Sequence, residues 1–276
     1  MGTLTNLSLF SGAAGLDLGA RLVGGIKTVC YVEFDRYAQG VLMSRIRDGG
    51  LDDAPIWDDV TTFDGKPWRG KVDIVSGGFP CQDVSIAGKQ VGITKGKRSG
   101  LWKEFARIVG EVGPRFVLVE NVTGLLMGGG LGVVLGDLAS MGFDAQWSVL
   151  SAGAVGAPHI RERVFLVAYP NGAPIGLSNG FMGNCREQVE ERAAKIWGKD
   201  RFGPWLGPLY KLSPERLQQI SRLGEPPILR MDDGLAPWVE LRIRGALKVT
   251  GNGVVSQQAT PPWQVIVDMA KNIERL

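Results

Sequence analysis

The sequence has one histidine and three cysteines among 276 residues, which leaves little material for two common kinds of centre. Cys30, Cys81 and Cys185 are odd in number and widely spaced, which is typical of neither a disulfide framework nor a zinc site with paired ligands. Since His159 is the only histidine, a metal centre or a Cys/His dyad has few candidates. We therefore expect no metal, and a nucleophilic cysteine would need an activator other than a nearby histidine.

Charge of one sign and long apolar runs are also missing. The 31 basic and 28 acidic residues nearly balance, so a polyanionic partner must be met by a local basic face. No stretch approaches the about 18 uncharged apolar residues of a membrane span. The N-terminal MGTLTNLSLF lacks the basic start and long apolar run of a signal peptide. We expect an intracellular, cytoplasmic protein with no membrane partner.

Up to about residue 170, short apolar runs alternate with helix-like stretches, as is typical of strands joined by crossover helices. The strand-like runs are Asn6 to Phe10, Val29 to Phe34, Asp73 to Ser76, Phe116 to Glu120, Gln146 to Leu150 and Arg163 to Ala168. The helix-like stretches include Leu16 to Val23, Leu101 to Val112 and Gly132 to Met141. This pattern predicts an α/β fold with a doubly wound, mostly parallel sheet, which binds ligands outside the carboxyl ends of its strands.

From about Tyr169 the sequence becomes rich in turns, prolines and glycines, which predicts a small loop-rich region rather than more sheet. After about Val249 it ends in a helix-like pattern with apolar residues on one face. These residues are Val265, Ile266, Met269 and Ile273. We expect this last helix to pack back on the sheet.

The first two strand-like runs end in residues suited to a nucleoside cofactor. Phe10, Gly12 and Gly15 form a tight turn that opens a helix, although such turns are often purely structural. About twenty residues on, Glu33 follows a strand at the spacing of a ribose-binding carboxylate, or else is a solvated strand end. The third glycine of a pyrophosphate fingerprint is missing, so an adenosine cofactor without a pyrophosphate fits better.

The segment GGFPCQD raises the question of whether Cys81 is a buried hydrophobe or an exposed nucleophile. Gly77 and Gly78 permit a sharp turn at the strand end, and Pro80 restricts the backbone, which would expose the cysteine to a cleft. A lone cysteine is nevertheless more often structural. The two readings stay open on local sequence alone.

Two further motifs reach the same sheet edge. Glu120 ends an otherwise apolar strand and is either solvated or directed into the cleft. Arg161 and Arg163 lie where a strand begins and would place two guanidinium groups near a phosphate or a base carbonyl.

In order, LFSGAAGLDLG, VEFD, SGGFPCQDVS, ENV, RERVFLVA and GNGV resemble the motif series of the DNA (cytosine-5)-methyltransferases of bacterial or phage type. The resemblance implies a Rossmann-like, S-adenosylmethionine-dependent catalytic domain over 1–169 and a target-recognition region over 170–248. A C-terminal segment, 249–276, would return to the catalytic domain. It also implies double-stranded DNA as the partner, and we expect a monomer.

By this resemblance, Cys81 is the nucleophile that adds to C6 of a flipped-out cytosine. Glu120 would hold or protonate N3 of the ring, and so stabilise the charge that builds there. Arg161 and Arg163 would contact O2 and neighbouring groups of the base. Their positive charge would also favour the thiolate, which answers the shortage of histidine.

The resemblance also implies a set of residues around S-adenosylmethionine. Glu33 would bind its ribose and Asp59, in IWDDV, its adenine amino group, while Leu101 and Asn252 would border its methionine end. The full set is Phe10, Gly12, Gly15, Leu16, Glu33, Asp59, Val60, Pro80, Leu101, Asn252 and Val254.

Two positions depart from the family pattern. Ala14 stands where a second consecutive glycine is common. His159 stands where glutamine usually begins the Q-x-R-x-R motif, which here reads H-x-R-x-R. A structural hydrogen-bonding role and a catalytic role are both open for His159. The short recognition region carries basic residues that would meet phosphates or form a solvated helix face: Arg186, Arg192, Lys195, Lys199, Arg201, Arg216, Arg222 and Arg230.

Two alternatives belong to other classes: a catalytically silent DNA-binding relative and a transfer-RNA methyltransferase of the same architecture. The presence of Cys81, Glu120 and both arginines disfavours the first. The dipeptide Gln82-Asp83 after the cysteine disfavours the second.

Overall fold

The computed structural model describes residues 2–80, 100–127, 129–155, 161–173 and 253–274. Cys81, His159 and Asn252 lie outside these ranges, and so does nearly all of the expected recognition region.

Seven strands and five α-helices make up the described part of the chain. The strands are β1 (Leu4–Leu9), β2 (Ile26–Val32), β3 (Ile56–Trp57), β4 (Ile74–Gly77), β5 (Phe116–Asn121), β6 (Phe143–Ser151) and β7 (Glu162–Pro170). The helices are α1 (Gly15–Val23), α2 (Arg36–Arg47), α3 (Gly100–Val112), α4 (Gly130–Ser140) and α5 (Ser256–Ile273). Short turns of 3-10 helix occur at Lys66–Trp68, Thr123–Leu126 and Ala152–Val155.

The strands form one sheet in the order β3-β2-β1-β4-β5-β7-β6. All pairs among β1 to β5 are parallel, whereas β7 is antiparallel to both of its neighbours. The predicted α/β fold with a mostly parallel sheet is confirmed. The reversed direction of β7 brings its first residues to the edge where β5 ends.

Every predicted strand-like run overlaps a strand and every predicted helical stretch overlaps a helix, with ends that differ by up to three residues, but α2 was not predicted. It buries only Ala38 and Leu42, so its sequence carries a weak apolar stripe. Its start is fixed instead by Asp35, whose Oδ1 accepts hydrogen bonds from the backbone N–H groups of Tyr37 (2.9 Å) and Ala38 (3.2 Å).

Helices cover both faces of the sheet. Strand β5 contacts both helix layers, because its side chains alternate between the two faces. Val117 and Val119 pack with α3 and α4, whereas Phe116 and Leu118 pack with α1 and α5. The final helix packs on the sheet as expected, with Val265, Ile266 and Met269 buried. Polar chemistry is therefore left to the sheet edge at which the parallel strands end. None of the helices in the described ranges is both long and apolar enough to cross a membrane.

Candidate active site

The turn between β1 and α1 is built from left-handed backbone. Phe10, Gly12 and Ala14 have φ values of 53°, 56° and 61°, two of them at residues with a β-carbon. This conformation costs an alanine about 1 kcal/mol or more. Ala14, which stands where a glycine is common, is thus a position at which glycine would adopt the same backbone conformation without this cost. The Phe10 ring is half-buried and stacks on Phe105, with ring centroids 6.4 Å apart.

Glu33 joins this turn to the end of β2. Its Oε2 accepts a hydrogen bond from the Gly12 N–H at 2.7 Å, and its Oε1 accepts one from the Asp35 N–H at 2.7 Å. The structure therefore brings together the two sequence motifs predicted to bind a nucleoside. These contacts orient the Glu33 carboxylate between the turn and the start of α2.

The turn after β3 lies beside Glu33, whose N–H donates to the Trp57 carbonyl at 2.9 Å. Asp59 Oδ1 accepts hydrogen bonds from the N–H (2.9 Å) and the hydroxyl (2.8 Å) of Thr61, and the Asp59 carbonyl accepts one from Trp57 Nε1 at 3.0 Å. Val60 is buried. A carboxylate and an apolar side chain thus stand at the strand end next to Glu33.

Glu120 is the most perturbed group at this edge. Its carboxylate pairs with Arg163, with Nε and Oε1 at 2.9 Å, and its side chain is only 13% exposed. Burial raises the pKa of Glu120 to about 7, although the charges of Arg163 and Arg161 oppose the rise. A group of this pKa exchanges a proton near neutral pH, as general acids and bases do.

Arg161 connects the edge to the C-terminal segment. Its Nη2 donates to the Gly253 carbonyl at 2.6 Å, and its own carbonyl accepts from Gln258 Nε2 at 2.7 Å. Burial and the neighbouring charge of Arg163 lower the pKa of Arg161. These two bonds connect Arg161, the residue before β7, to Gly253 and to Gln258 at the start of α5.

Val254 meets the glycine turn, because a β-carbon on Gly15 would overlap the Val254 carbonyl oxygen. Leu16, the next residue, is buried, and its carbonyl accepts a hydrogen bond from Trp263 Nε1 on α5 at 2.8 Å. The first and last of the matching motifs are therefore in contact.

The glycines before Cys81 serve a different purpose from the one inferred. Neither Gly77 nor Gly78 has a positive φ, so conformational freedom is not the reason for glycine here. A β-carbon on Gly77 would overlap the Leu9 carbonyl oxygen, and one on Gly78 would overlap Glu120 Oε2. Both positions are glycine because neighbouring atoms approach closely.

Asn121 holds the segment that leads to Cys81. Its Nδ2 donates to the Phe79 carbonyl at 3.0 Å, while its Oδ1 accepts from the Val122 N–H at 2.8 Å. Phe79 is buried, and Pro80 and the nearby helix residue Leu101 are half-buried. The last residues before the cysteine are thereby anchored to the end of β5.

A buried acid lies below the glycine turn. Asp17 is 2% exposed and accepts hydrogen bonds from the hydroxyls of Ser8 and Thr28, both at 2.9 Å. Burial raises the pKa of Asp17 to about 6, against the effect of these hydrogen bonds. Sequence reasoning missed it, since a carboxylate in the first turn of α1 resembles an ordinary helix start.

Three other residues that shape the site were not predicted: Arg107, Asn121 and Gln258. Asn121 lies within a quoted motif and was open to prediction, whereas Arg107 and Gln258 gave no signal. In the ranges that the structure describes, no group of three or more His, Cys, Asp or Glu residues is placed to hold a metal ion.

Known proteins resemble the chain over the same region. The family model described as C-5 cytosine-specific DNA methylase matches residues 4–198. Type II methyltransferase M.CviJI of Paramecium bursaria Chlorella virus IL3A is 36% identical over 163 residues, which cover 59% of this chain and 42% of that protein. Type II methyltransferase M.Eco47II of Escherichia coli is 36% identical over 181 residues, covering 63% and 41%. The match thus spans less than half the length of either relative.

A solved structure gives the same relationship in three dimensions. It is described as a DNA modification methyltransferase encoded within a prophage of E. coli, and it superposes with a TM-score of 0.52 at 26% identity. The superposition covers 64% of this chain and 49% of the other.

Proposed function

Because the chain belongs to the family of C-5 cytosine-specific DNA methylases, we propose that it methylates C5 of cytosine in double-stranded DNA. The names of its Type II methyltransferase relatives support this activity. The observation that carries the proposal is the mostly buried side chain of Glu120, which pairs with Arg163 and lies against Gly78, three residues before Cys81. A carboxyl with a pKa near 7 beside a cysteine motif is suited to chemistry on a ring nitrogen.

Cys81 would supply the nucleophile. Its Sγ would add to C6 of the cytosine, which breaks the aromaticity of the ring and makes C5 electron-rich. Asn121 fixes the Phe79 carbonyl two residues earlier, and so would direct the cysteine toward the base. The positive charges of Arg161 and Arg163 would favour the thiolate.

Glu120 would act on the opposite part of the ring. When protonated, its carboxyl would donate a hydrogen bond to N3 and stabilise the negative charge that develops as the sulfur adds. This interaction is stronger in the transition state than in the ground state, as catalysis requires. Once C5 has taken the methyl group and S-adenosylhomocysteine has been left as the product, loss of the C5 proton to a base or water would expel Cys81 and restore the aromatic ring.

The residues at the sheet edge suit S-adenosylmethionine, which supplies an electrophilic methyl group when bound. Glu33 would accept hydrogen bonds from ribose hydroxyls and Asp59 one from the adenine amino group, while the half-buried Phe10 offers an aromatic surface. The remaining residues proposed to line this site are Gly12, Gly15, Leu16, Val60, Pro80, Leu101, Asn252 and Val254.

Reaching C5 requires the base to leave the stack, and unstacking and unpairing it costs on the order of a few kcal/mol. The segment 170–248 would supply contacts to the surrounding sequence. We propose that the protein acts as a monomer in the cytoplasm, with no metal, and within DNA modification of the restriction-modification kind.

The covalent step gives the sharpest test. Duplex DNA with 5-fluorocytosine at its methylation sites, which are first located by bisulfite sequencing of host DNA after expression, should form a denaturation-stable adduct when cofactor is present. The Cys81→Ser variant should bind the same duplex without forming the adduct. Binding without an adduct by the intact protein would indicate a silent relative, and methylation of transfer RNA alone would indicate the RNA enzyme.

A further inference from the structure

Arg107, in the middle of α3, holds the turn after β3 by its backbone. Its Nη2 donates to the Val60 carbonyl and its Nη1 to the Phe63 carbonyl, both at 3.0 Å. Its Nε donates to Glu104 Oε2 at 2.8 Å. The planar guanidinium therefore bridges two carbonyls of one turn while a helix neighbour fixes its plane.

Glu111, one helical turn further along α3, adds to these contacts; we call Arg107 and Glu111 together the α3 clasp. Both of its carboxylate oxygens accept from Arg107 Nη1 at 2.9 Å, and Oε2 also accepts from the Gly65 N–H at 2.8 Å. A β-carbon on Gly65 would lie 3.0 Å from the Glu111 β-carbon, so this contact is tightly packed. Three backbone atoms of the segment 59–65 are thus held from α3.

The α3 clasp holds the backbone of the turn that carries Asp59. In the described ranges the side chain of Asp59 accepts hydrogen bonds from Thr61 alone, within the same turn, and these bonds shape the turn without fixing its position on the sheet. Phe63 adds an apolar anchor, since it is buried and contacts the rings of Trp57 and Trp68. Arg107 and Glu111 connect this turn to α3, and Arg107 makes the bond to Val60, the residue next to Asp59.

We propose that Arg107 is a positioning residue that sets the recognition of the adenine amino group by the turn that carries Asp59. This inference rests on the proposed function, because it takes the ligand to be an adenosine cofactor. Arg107 itself contacts backbone and two glutamates rather than the ligand. Its role is specificity, since an aspartate that accepts from an amino group disfavours a base with a carbonyl at that position.

The test compares S-adenosylhomocysteine with its deaminated analogue S-inosylhomocysteine, in which a carbonyl replaces the amino group and the adjoining N1 carries a hydrogen. Isothermal titration of the wild-type protein should show a preference of about tenfold or more for the adenosine compound. In Arg107→Lys one compact ammonium replaces the guanidinium fork, whose separate nitrogens contact the two carbonyls and both glutamates, so the turn is held less rigidly. The preference should therefore fall below about threefold, chiefly by weaker binding of the adenosine ligand.

Arg69→Lys is the matched control. Arg69 also connects the segment before β4 to α3, donating from Nη2 to the Gly110 carbonyl at 2.5 Å, but in the described structure its side chain makes no hydrogen bond to the turn at Asp59. Its replacement should leave the preference unchanged. Glu111→Gln gives a second route if Arg107→Lys fails to fold, since it keeps an acceptor for Gly65 and weakens the pair with Arg107. It should reduce the preference by a smaller factor.

Each other outcome is decisive. Equal weakening of both ligands in Arg107→Lys, with the wild-type preference kept, would make Arg107 merely structural and overturn the inference. Wild-type protein that binds both ligands equally would overturn it while leaving the proposed cofactor in place. Wild-type protein that binds neither ligand would contradict the proposed cofactor itself and overturn the inference with it.

Discussion

The carboxylate of Glu120 occupies space that Gly78 leaves open: a β-carbon at position 78 would overlap Glu120 Oε2. The two residues lie at the ends of neighbouring parallel strands, where Gly77 of β4 pairs with Val119 of β5. The absence of a side chain at one strand end thus fixes the place of an acid at the next.

We expect Gly78→Ala to lower methyl transfer by about 10²-fold, because a displacement of about 1 Å in a catalytic group has costs of that order. The overlap is with the far end of a side chain, so the free energy of unfolding should fall by less than about 2 kcal/mol. Single-turnover rates and urea titrations measure the two effects. Gly136→Ala, at a helical glycine with open space around it, is the control. Full activity in Gly78→Ala would contradict this view of the site.

The pH dependence of the reaction should reveal the proton on Glu120. Its pKa is raised to about 7, so the carboxyl holds a proton below that pH and loses it as the pH rises. The rate should therefore decline above about pH 7, even though a rising pH also increases the fraction of Cys81 present as thiolate, which favours the reaction. Glu120→Gln should lower the rate by about 10²-fold and remove this decline. Rate profiles of the two proteins from pH 5.5 to 8.5, at about half-unit steps, make the comparison; parallel profiles would exclude Glu120 as the titrating group.

Asp17 should make stability depend on pH in the acid range. Its pKa is raised from 3.8 to about 6, so the folded state binds a proton more tightly than the unfolded state does. The stabilisation is fully present below pH 3.8 and is lost as the pH rises through about 6.

Between pH 5 and 8, wild-type protein should lose on the order of 1 to 2 kcal/mol of unfolding free energy relative to Asp17→Asn. Urea titrations of both proteins at the two pH values measure this difference. Equal pH dependence in the two proteins would show that Asp17 does not take up the proton.

The contact between α1 and α5 depends on another missing side chain. A β-carbon on Gly19 would lie 2.7 Å from the Ala259 β-carbon and 2.8 Å from the Ser256 carbonyl oxygen. Gly19→Ala should lower the free energy of unfolding by about 1 to 3 kcal/mol through overpacking.

Gly40→Ala is the matched change, since Gly40 lies inside α2 with open space around it. Both substitutions favour helix, so Gly40→Ala should raise the free energy of unfolding by about 0.5 to 1 kcal/mol. Denaturant titrations at one pH give both values. A higher free energy of unfolding in both variants would mean that α1 and α5 can move apart without loss of stability, contrary to this prediction.

Sequence alone predicted those parts of the site that follow from strand order. Glu33 and Glu120 interrupt apolar runs at strand ends, and the carboxyl ends of parallel strands meet at one edge, so their proximity could be inferred. Arg161 and Arg163 reach the same edge because β7 runs backward, a reversal that periodicity does not reveal.

Contacts through space could not be predicted in this way. Arg107 lies 47 residues from Val60, and its donors are directed to backbone carbonyls, which leave no mark on the identity of the residues that carry them. The reason for glycine at position 78 was likewise wrong, since a glycine needed for space and one needed for a positive φ look alike in sequence. The roles of Cys81, His159 and Asn252 remain predictions.

The reversal of β7 also constrains any exchange between relatives of the segment that we propose to contact the target sequence. Because β7 begins beside Gly253 and runs nine residues to the opposite edge, the chain leaves the described sheet about 30 Å from where it re-enters. A transplanted segment between positions 173 and 253 must span that separation, so a graft of a short loop that starts and finishes at one point would not fit. Chimaeras should therefore be joined at those two points, with linkers chosen by reach as well as by sequence.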